Sequence, residues 1–382
     1  MRGAAGLFER SWSAEPGSLE WTKALLPLAA GYSIASGIAR RRARARRRRI
    51  EGCRVVAVGN LTVGGTGKSS IARWLALEAV RAGAHAAVLL RGQGALAPSG
   101  ERGAVPDFAE YPLAMRTSRY GDEALALRIG LPREAAVVVD PNRMRGAVAA
   151  RSGYGARILI LDDGWEQPDL GWDELWVALD PRRPVGNGSL LPAGPLRRPA
   201  STLREATRIV FLLEEPREMI PESTREWLAR KAPGVPVSRF QRILLGTSPP
   251  GSRDGPEPLA RGVKVALLSG IGSPSRLTRF ILGAGAEVRL HAAFPDHARW
   301  SGSSLAAVLS RARLEGAELA LITEKDEPRW PGHLKVALPV RVLRTMLLPL
   351  DPVEDALRAI RAAAAGPGAE RDGRAEARAE TR

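Results

Sequence analysis

Apolar positions in this chain fall into short runs that alternate with longer, helix-patterned stretches. Val55–Val58, Ala86–Leu90, Ala136–Val139, Ile158–Leu161, Leu175–Ala178 and Ile209–Leu213 are four to five residues each and rich in β-branched or leucine side chains. Runs of that length between amphipathic stretches predict strands of a parallel sheet with helices on its faces. Ser70–Ala84 carries a helical pattern. Around residues 232–262 proline, glycine and serine accumulate in TSPPGSRDGPEP, which predicts a flexible connection or a hairpin tip. A second α/β pattern follows: strand Lys264–Leu268, helix Pro274–Gly283, strand Glu287–Ala293, helix Ser303–Glu315 and strand Leu319–Thr323. Asp351–Ala364 predicts a last helix, and the tail after Gly366 is small residues with Glu and Arg, a composition expected to stay disordered.

This pattern divides the chain into an N-terminal helix and basic segment (1–50), a core α/β unit (51–235), a linker or β-ribbon (236–262), a smaller α/β unit (263–345), a C-terminal helix (346–365) and a tail (366–382). The expected fold class is α/β, a phosphate-loop NTPase-type core with a mostly parallel sheet flanked by helices, plus a smaller C-terminal α/β domain.

The loop after the first run is the most informative. Residues 58–69 read VGNLTVGGTGKS between a predicted strand and a predicted helix. Gly64, Gly65, Thr66 and Gly67 let backbone amides approach phosphate oxygens, and the helix start adds partial positive charge. Lys68 would reach the β- and γ-phosphates of ATP, and the Ser69 hydroxyl would ligate Mg²⁺. Thr62 stands where the strict GxxxxGK pattern has its first glycine. Only six of the 57 basic residues are lysine, yet lysine holds this position, where a compact ammonium suits the loop better than a broad guanidinium.

Charge adds a second theme. The net charge is +16, and RRRARARRRR at 40–49 supplies eight of the positive charges. Just upstream, residues 24–39 read ALLPLAAGYSIASGIA, with no charged side chain. An apolar stretch with a polybasic end fits an interfacial membrane helix. It is too short to span a bilayer, and its basic cluster follows the apolar part, the reverse of a secretory signal. A helix packed on the core, followed by a solvated basic loop, is the competing reading. The single cysteine, Cys53, excludes an internal disulfide and fits a reducing compartment; the four histidines show no zinc-ligand spacing.

Other candidate groups lie at loop positions. Asp162 and Asp163 end the run ILILDD, where an acidic side chain can help hold Mg²⁺; a plain Asp-Gly turn is the alternative. Asp122 precedes a short helical pattern and reads equally as a helix N-cap. His297 sits beside Asp296, and a lone histidine is more often structural. The loop GNGSLLPAGP at 186–195, with Asn187 in it and Arg197 and Arg198 after it, suits contact with a phosphate or sugar.

Taken together, GNLTVGGTGKS, GDE at 121–123, LDDG at 161–164, GNGSLLPAGPLR at 186–197, FPDH at 294–297 and TEKD at 323–326 resemble, in order, the tetraacyldisaccharide 4′-kinases, the lipid A kinases of Gram-negative bacteria. The resemblance spans residues 25–345. It implies ATP- and Mg²⁺-dependent phosphorylation of the 4′-hydroxyl of a tetraacylated glucosamine disaccharide 1-phosphate. It further implies a two-stranded linker between domains and a location on the cytoplasmic face of the inner membrane, with no specific nucleic-acid partner. By the same resemblance, Lys68 is the phosphate-binding lysine, Ser69, Asp162 and Asp163 form the metal side, and Asp122 and His297 activate the acceptor hydroxyl. Arg197 and Asn187 then contact substrate.

The chain departs from the family pattern at Gln93, Glu166, Ser69-Ser70 and the DEPRW after Lys325. Glu166, where the family has glutamine, adds a negative charge near the phosphates. Two rival readings use the same residues: a diverged phosphate-loop enzyme with another acceptor, and a non-enzymatic binder of anionic membrane or nucleic acid through the arginine run.

Overall fold

The computed structural model describes residues 22, 24–92, 117, 119–167, 170–213, 218–252, 254–272, 274–295, 300–331 and 338–365. Gln93, His297, residues 1–20 and the tail after 366 lie outside the described residues. Strands β1 (Arg54–Asn60), β2 (Ala86–Leu90), β3 (Ala135–Val139), β4 (Ile158–Asp162), β5 (Glu174–Leu179) and β6 (Arg208–Leu213) occupy the predicted runs. Nearly every residue in them is buried, because helices cover both faces of a parallel sheet, and this is why the runs are apolar without alternation.

One sheet of 11 strands runs the whole width of the protein, in the order β3-β2-β4-β1-β5-β6-β7-β11-β10-β8-β9. Its later strands are β7 (Val237–Ser248), β8 (Lys264–Ser269), β9 (Glu287–Ala293), β10 (Leu319–Thr323) and β11 (Val340–Pro349). β6 and β7 pair parallel, as do β10 and β11, but β7 and β11 pair antiparallel. The sheet therefore reverses direction at this one pairing, and β7 and β11 form a two-stranded ribbon between its halves. The region read as a linker or β-ribbon holds strand β7 followed by a turn. Thr247 and Glu257 close that turn with reciprocal backbone hydrogen bonds of 2.8 Å.

The helices are α1 (Leu26–Arg46), α2 (Lys68–Arg81), α3 (Asp122–Ile129), α4 (Arg143–Tyr154), α5 (Glu222–Lys231), α6 (Pro274–Gly283), α7 (Gly302–Leu314) and α8 (Glu354–Ala365). Two apolar clusters cover the two faces of the first half. One gathers Val56, Val58, Ile71, Leu75, Leu125 and, from α8, Ile360. The other gathers Val55, Ala57, Leu159, Leu161, Trp165 and Phe211. The C-terminal helix thus returns to the first half, where Arg157 donates to the Ala364 carbonyl at 2.8 Å and Arg208 pairs with Asp355. Trp74 of α2 meets Phe240 of β7 edge-on, with ring centroids 4.8 Å apart.

The first helix settles part of the reading of the basic segment. Among the apolar residues of α1 only Ala29 is buried, while Leu28 is 62 % and Ile34 66 % exposed. It is not a core-packed helix. Its far end is nonetheless anchored: Arg47 lies over the Trp172 ring at 3.5 Å, and Gly171 donates to the Arg48 carbonyl at 2.8 Å. No helix among the described residues is long and apolar enough to cross a membrane.

Candidate functional site

Ligands of open parallel sheets sit at the carboxyl ends of the strands, and the candidate residues converge there. β1 lies between β4 and β5. Its carboxyl end leads into the glycine loop, and the end of β4 delivers Asp162 beside it. Gly67, the residue before α2, has φ +86°, and a Cβ there would lie 2.4 Å from Leu212. Only glycine fits a backbone that turns this sharply into the helix while touching a core side chain. Thr62 needs no glycine, because the loop opens as extended chain. Thr62 bridges Leu196, Val63 donates to the Pro195 carbonyl at 2.8 Å, and Arg197 donates to Leu61 at 2.9 Å. These bonds pin the loop at 186–197 to the start of the phosphate loop.

Lys68 is held from two sides. Its Nζ donates to Asn60 Oδ1 at 2.8 Å and lies 3.1 Å from Asp163 Oδ1. Asn60 is 1 % exposed, and its amide also donates to the carbonyls of Thr62 at 2.6 Å and Gly64 at 3.3 Å. One side chain therefore shapes the loop and aims the lysine.

Asp163 has φ +53°, the one left-handed non-glycine residue among the described residues. This costly conformation turns its carboxylate toward both Lys68 and Arg197, whose Nη1 reaches its two oxygens at 2.8 and 2.9 Å. Burial alone would raise the Asp163 pKa; Lys68 and Arg197 outweigh it and hold the group below the ordinary carboxylate value. Its charge is thus engaged by two cations.

Asp162 is different. Burial pushes its pKa up, against the opposing pull of a Ser69 hydrogen bond and the Lys68 charge. Its Oδ1 is buried and has no hydrogen-bond partner, and so is Thr66 Oγ1 in the loop. An orphaned buried carboxylate oxygen beside a serine hydroxyl is the donor set a hard divalent cation takes up with phosphate oxygens. Ser69 and Asp162 therefore fit Mg²⁺. No cluster of three or more His, Cys, Asp or Glu side chains suited to a metal occurs among the described residues. Beneath the aspartates the buried Arg143 donates to the Asp162 carbonyl at 3.0 Å, and burial lowers its pKa to about 10.

The charge expected from Glu166 is paired with a cation, while its side chain stays 38 % exposed. Arg198, only 3 % exposed, pairs with Glu166, donates to the Trp165 carbonyl at 2.7 Å and stacks over the Trp165 ring at 4.6 Å. Glu205 lies 3.7 Å from the same guanidinium. Asn187 turns onto its own loop: its amide donates to the Ala193 carbonyl at 3.0 Å, and its oxygen accepts from Ser189 N at 3.1 Å. Asn187 therefore braces the loop that carries Arg197.

Asp122 is not an N-cap. Gly121 occupies that place with φ +85°, and Asp122 is the first residue of α3. Its Oδ1 accepts from Glu123 N at 3.0 Å, and its Oδ2 takes both Nε (2.9 Å) and Nη2 of Arg329, which comes from the second half of the protein. The partner expected for Asp122, His297, lies outside the described residues; the chain on its near side, through Phe294 and Pro295, leaves β9 where Phe294 donates to Ser269 at 2.8 Å.

Arg198, read from the sequence as a phosphate or sugar contact, is instead held by Glu166 and the Trp165 carbonyl. Asn60, Arg143 and Arg329 carry no role in the sequence reading, although Asn60 lies within the glycine-rich motif and Arg329 within the divergent DEPRW.

The model of the family described as Tetraacyldisaccharide-1-P 4'-kinase matches residues 21–359. A tetraacyldisaccharide 4'-kinase from Anaeromyxobacter sp. (strain K) is 35 % identical over 339 residues, covering 83 % of this chain and 84 % of the relative. One from Syntrophobacter fumaroxidans is 37 % identical over 325 residues, covering 84 % and 81 %. One from Methylobacterium sp. (strain 4-46) is 33 % identical over 358 residues, covering 92 % and 96 %. In fold, the protein is similar to the crystal structure of LpxK from Aquifex aeolicus in complex with ATP, with a TM-score of 0.67, 22 % identity, and 89 % and 98 % of the two chains covered. With a match over most of its length in sequence, this chain belongs to the tetraacyldisaccharide-1-P 4'-kinase family.

Proposed function

We propose that this protein transfers the γ-phosphoryl group of ATP to the 4′-hydroxyl of a tetraacylated glucosamine disaccharide 1-phosphate, at the cytoplasmic surface of the bacterial inner membrane. The convergence of Lys68, Asp163 and Arg197 at the carboxyl edge of the sheet, beside Asp162 and Ser69, carries this reading. Membership of the family supplies the acceptor.

Phosphoryl transfer asks for positioning and charge stabilisation more than for covalent chemistry. The amides of Gly64, Gly65, Thr66 and Gly67 cradle the phosphates. Lys68 and Arg197 are held by Asp163 until phosphate oxygens take over part of that partnership. Ser69 and Asp162 would hold Mg²⁺, which when bound neutralises charge on the transferring phosphates. On the acceptor side, Asp122 and His297 form the pair that takes the hydroxyl proton, an imidazole oriented by a carboxylate. The smaller C-terminal half, linked through β7 and β11, then works as an acceptor-side domain.

The outward face of α1 suits a lipid surface. Leu26, Leu28, Ile34 and Ile38 are exposed, and Arg41, Arg42, Arg44 and Arg46 follow them in solvent. Tyr32 on the same helix donates to the Arg197 carbonyl at 3.2 Å, so the proposed membrane element touches the proposed substrate site. An acylated, anionic acceptor would be met by both.

The test is ³²P transfer from Mg·ATP to the tetraacyldisaccharide 1-phosphate in detergent micelles, with wild type, Lys68→Ala and His297→Ala. Transfer by wild type that both substitutions abolish supports the reading; folded wild type without transfer overturns it. Cosedimentation with anionic vesicles, lost in Leu28→Asp/Ile34→Asp, tests the membrane part; unchanged binding by that variant would remove α1 from it.

A further inference from the structure

The DEPRW segment that departs from the family pattern forms a 3-10 turn at Glu327–Arg329, and the structure fastens it unusually well. Asp326, fully buried, accepts from Thr323 Oγ1 at 2.6 Å and from Gly270 N at 3.1 Å. Glu327 receives Arg344 at 2.6 and 2.9 Å and Gly251 N at 2.8 Å. From this fixed turn Arg329 crosses to the first half and grips Asp122; the two side chains are 5 % and 9 % exposed. Its Nη1 stays on the near side, 3.4 Å from Asp326 Oδ1 and 3.5 Å from the Gly270 carbonyl. A Cβ on Gly270 would lie 2.6 Å from that Nη1 and 3.4 Å from the Pro295 carbonyl, so the chain leading to His297 reaches the same small residue.

With Oδ2 held by Nε and Nη2 of Arg329 and Oδ1 held by the Glu123 amide, the Asp122 carboxylate has little freedom to rotate. The simplest alternative is that Arg329 is only a staple between the halves. The junction already has one in Arg73, which donates to Glu324 at 2.9 Å from α2. Arg73 touches neither Asp122 nor the glycine loop in any described contact, so it serves as the control for stapling alone.

We infer that Arg329 is a positioning residue, which sets the orientation of the Asp122 carboxylate from the opposite half of the protein. The orientation of Asp122 then depends on the register of the two halves. This rests on the role proposed above for Asp122.

Steady-state transfer in micelles should be measured for Arg329→Met, Arg329→Lys, Arg73→Met, Asp122→Asn and Asp122→Asn/Arg329→Met, each first shown by thermal unfolding to be folded. Misplacement of a reacting group by about 1 Å costs on the order of 100-fold in rate. Arg329→Met should therefore lower kcat about 100-fold, with both KM values within about twofold, and Arg329→Lys, which keeps charge without the fork, should recover about tenfold of that loss. Arg73→Met should keep kcat within about threefold, and the double variant should be no slower than Asp122→Asn.

Equal losses in Arg329→Met and Arg73→Met, or a full additional loss on top of Asp122→Asn, would show a staple and overturn the inference. Should Arg329→Met not fold, the lysine variant decides: wild-type kcat in it overturns the inference. Asp122→Asn at wild-type rate overturns the reading of Asp122, and the inference with it. A slow Asp122→Asn beside fast Arg329 variants overturns the inference alone.

Discussion

Asn60→Ala tests how the glycine loop holds its lysine. Three hydrogen bonds leave with the amide: one to the Lys68 ammonium at 2.8 Å and two to loop carbonyls at 2.6 and 3.3 Å. A bond to a charged group contributes about 1.5–3 kcal/mol and a neutral one about 1 kcal/mol, so the gross loss is about 3–5 kcal/mol. Lys68 keeps Asp163 at 3.1 Å, which retains part of the charged term. The expected destabilisation is about 3 kcal/mol, measured by urea unfolding of the apoprotein. Without the brace the ammonium also swings toward Asp163, and ATP affinity measured by calorimetry should fall about 10- to 30-fold, or about 1.4–2 kcal/mol. Asn60→Asp keeps the acceptor but turns a carboxylate oxygen on the Thr62 and Gly64 carbonyls, and should weaken ATP more than alanine does. An alanine variant within about 1 kcal/mol of wild type and twofold in affinity would refute the assignment.

Asp162→Asn should stabilise the apoprotein while destroying transfer. Its pKa is raised by burial, so ionised Asp162 costs stability at neutral pH, a cost that disappears as pH falls through the folded value. Asparagine removes it at all pH, and a higher Tm is expected; a lower Tm contradicts the reading. Asp163 behaves with the opposite sign. With its folded pKa below the unfolded value of about 3.9, it contributes stability above that pH, lost as pH falls through the folded value. The wild-type advantage over Asp163→Asn should shrink in urea unfolding below about pH 4, and a constant advantage from pH 7 to pH 3 would contradict this. Arg198→Met should cost about 1–3 kcal/mol, chiefly because it leaves the Trp165 carbonyl without its buried partner, Glu166 being partly solvated. Adding Glu166→Gln should return part of it; equal stability of Arg198→Met and wild type speaks against the pair.

The elements most legible in the sequence were those whose burial is complete. β1 to β6 are apolar on both faces, and glycine or aspartate loops bound them. α4 carries no legible apolar stripe because its buried face is Arg143, Gly146, Ala147 and Ala150, one charged residue and three small ones. β7 was legible only as part of a linker or β-ribbon over 236–262, because its middle is half-covered and neither alternation nor a solid apolar run marks its bounds. At the site, Lys68, Ser69 and Asp162 are local motif chemistry. Arg198 meets Trp165 across 33 residues, and Arg329 meets Asp122 across 207. Such contacts follow from the topology of the sheet and from no pattern along the chain. The exposure of the α1 apolar residues was legible in part, since a stretch lacking charge and ending in arginines suits an interface better than a core.

The return of α8 to the first half has a consequence for how the protein is made. Val353, Ala356 and Ile360 complete the same apolar cluster as Val56, Val58 and Ile71. On a ribosome, β1 emerges about 300 residues before its last packing partner, a delay of roughly 15–60 s at 5–20 residues per second. All of β8 to β10 is synthesised inside that interval. The glycine loop is thus translated early and sealed late, and a chain stopped before residue 354 leaves an open apolar face on α2 for chaperones or proteases to find.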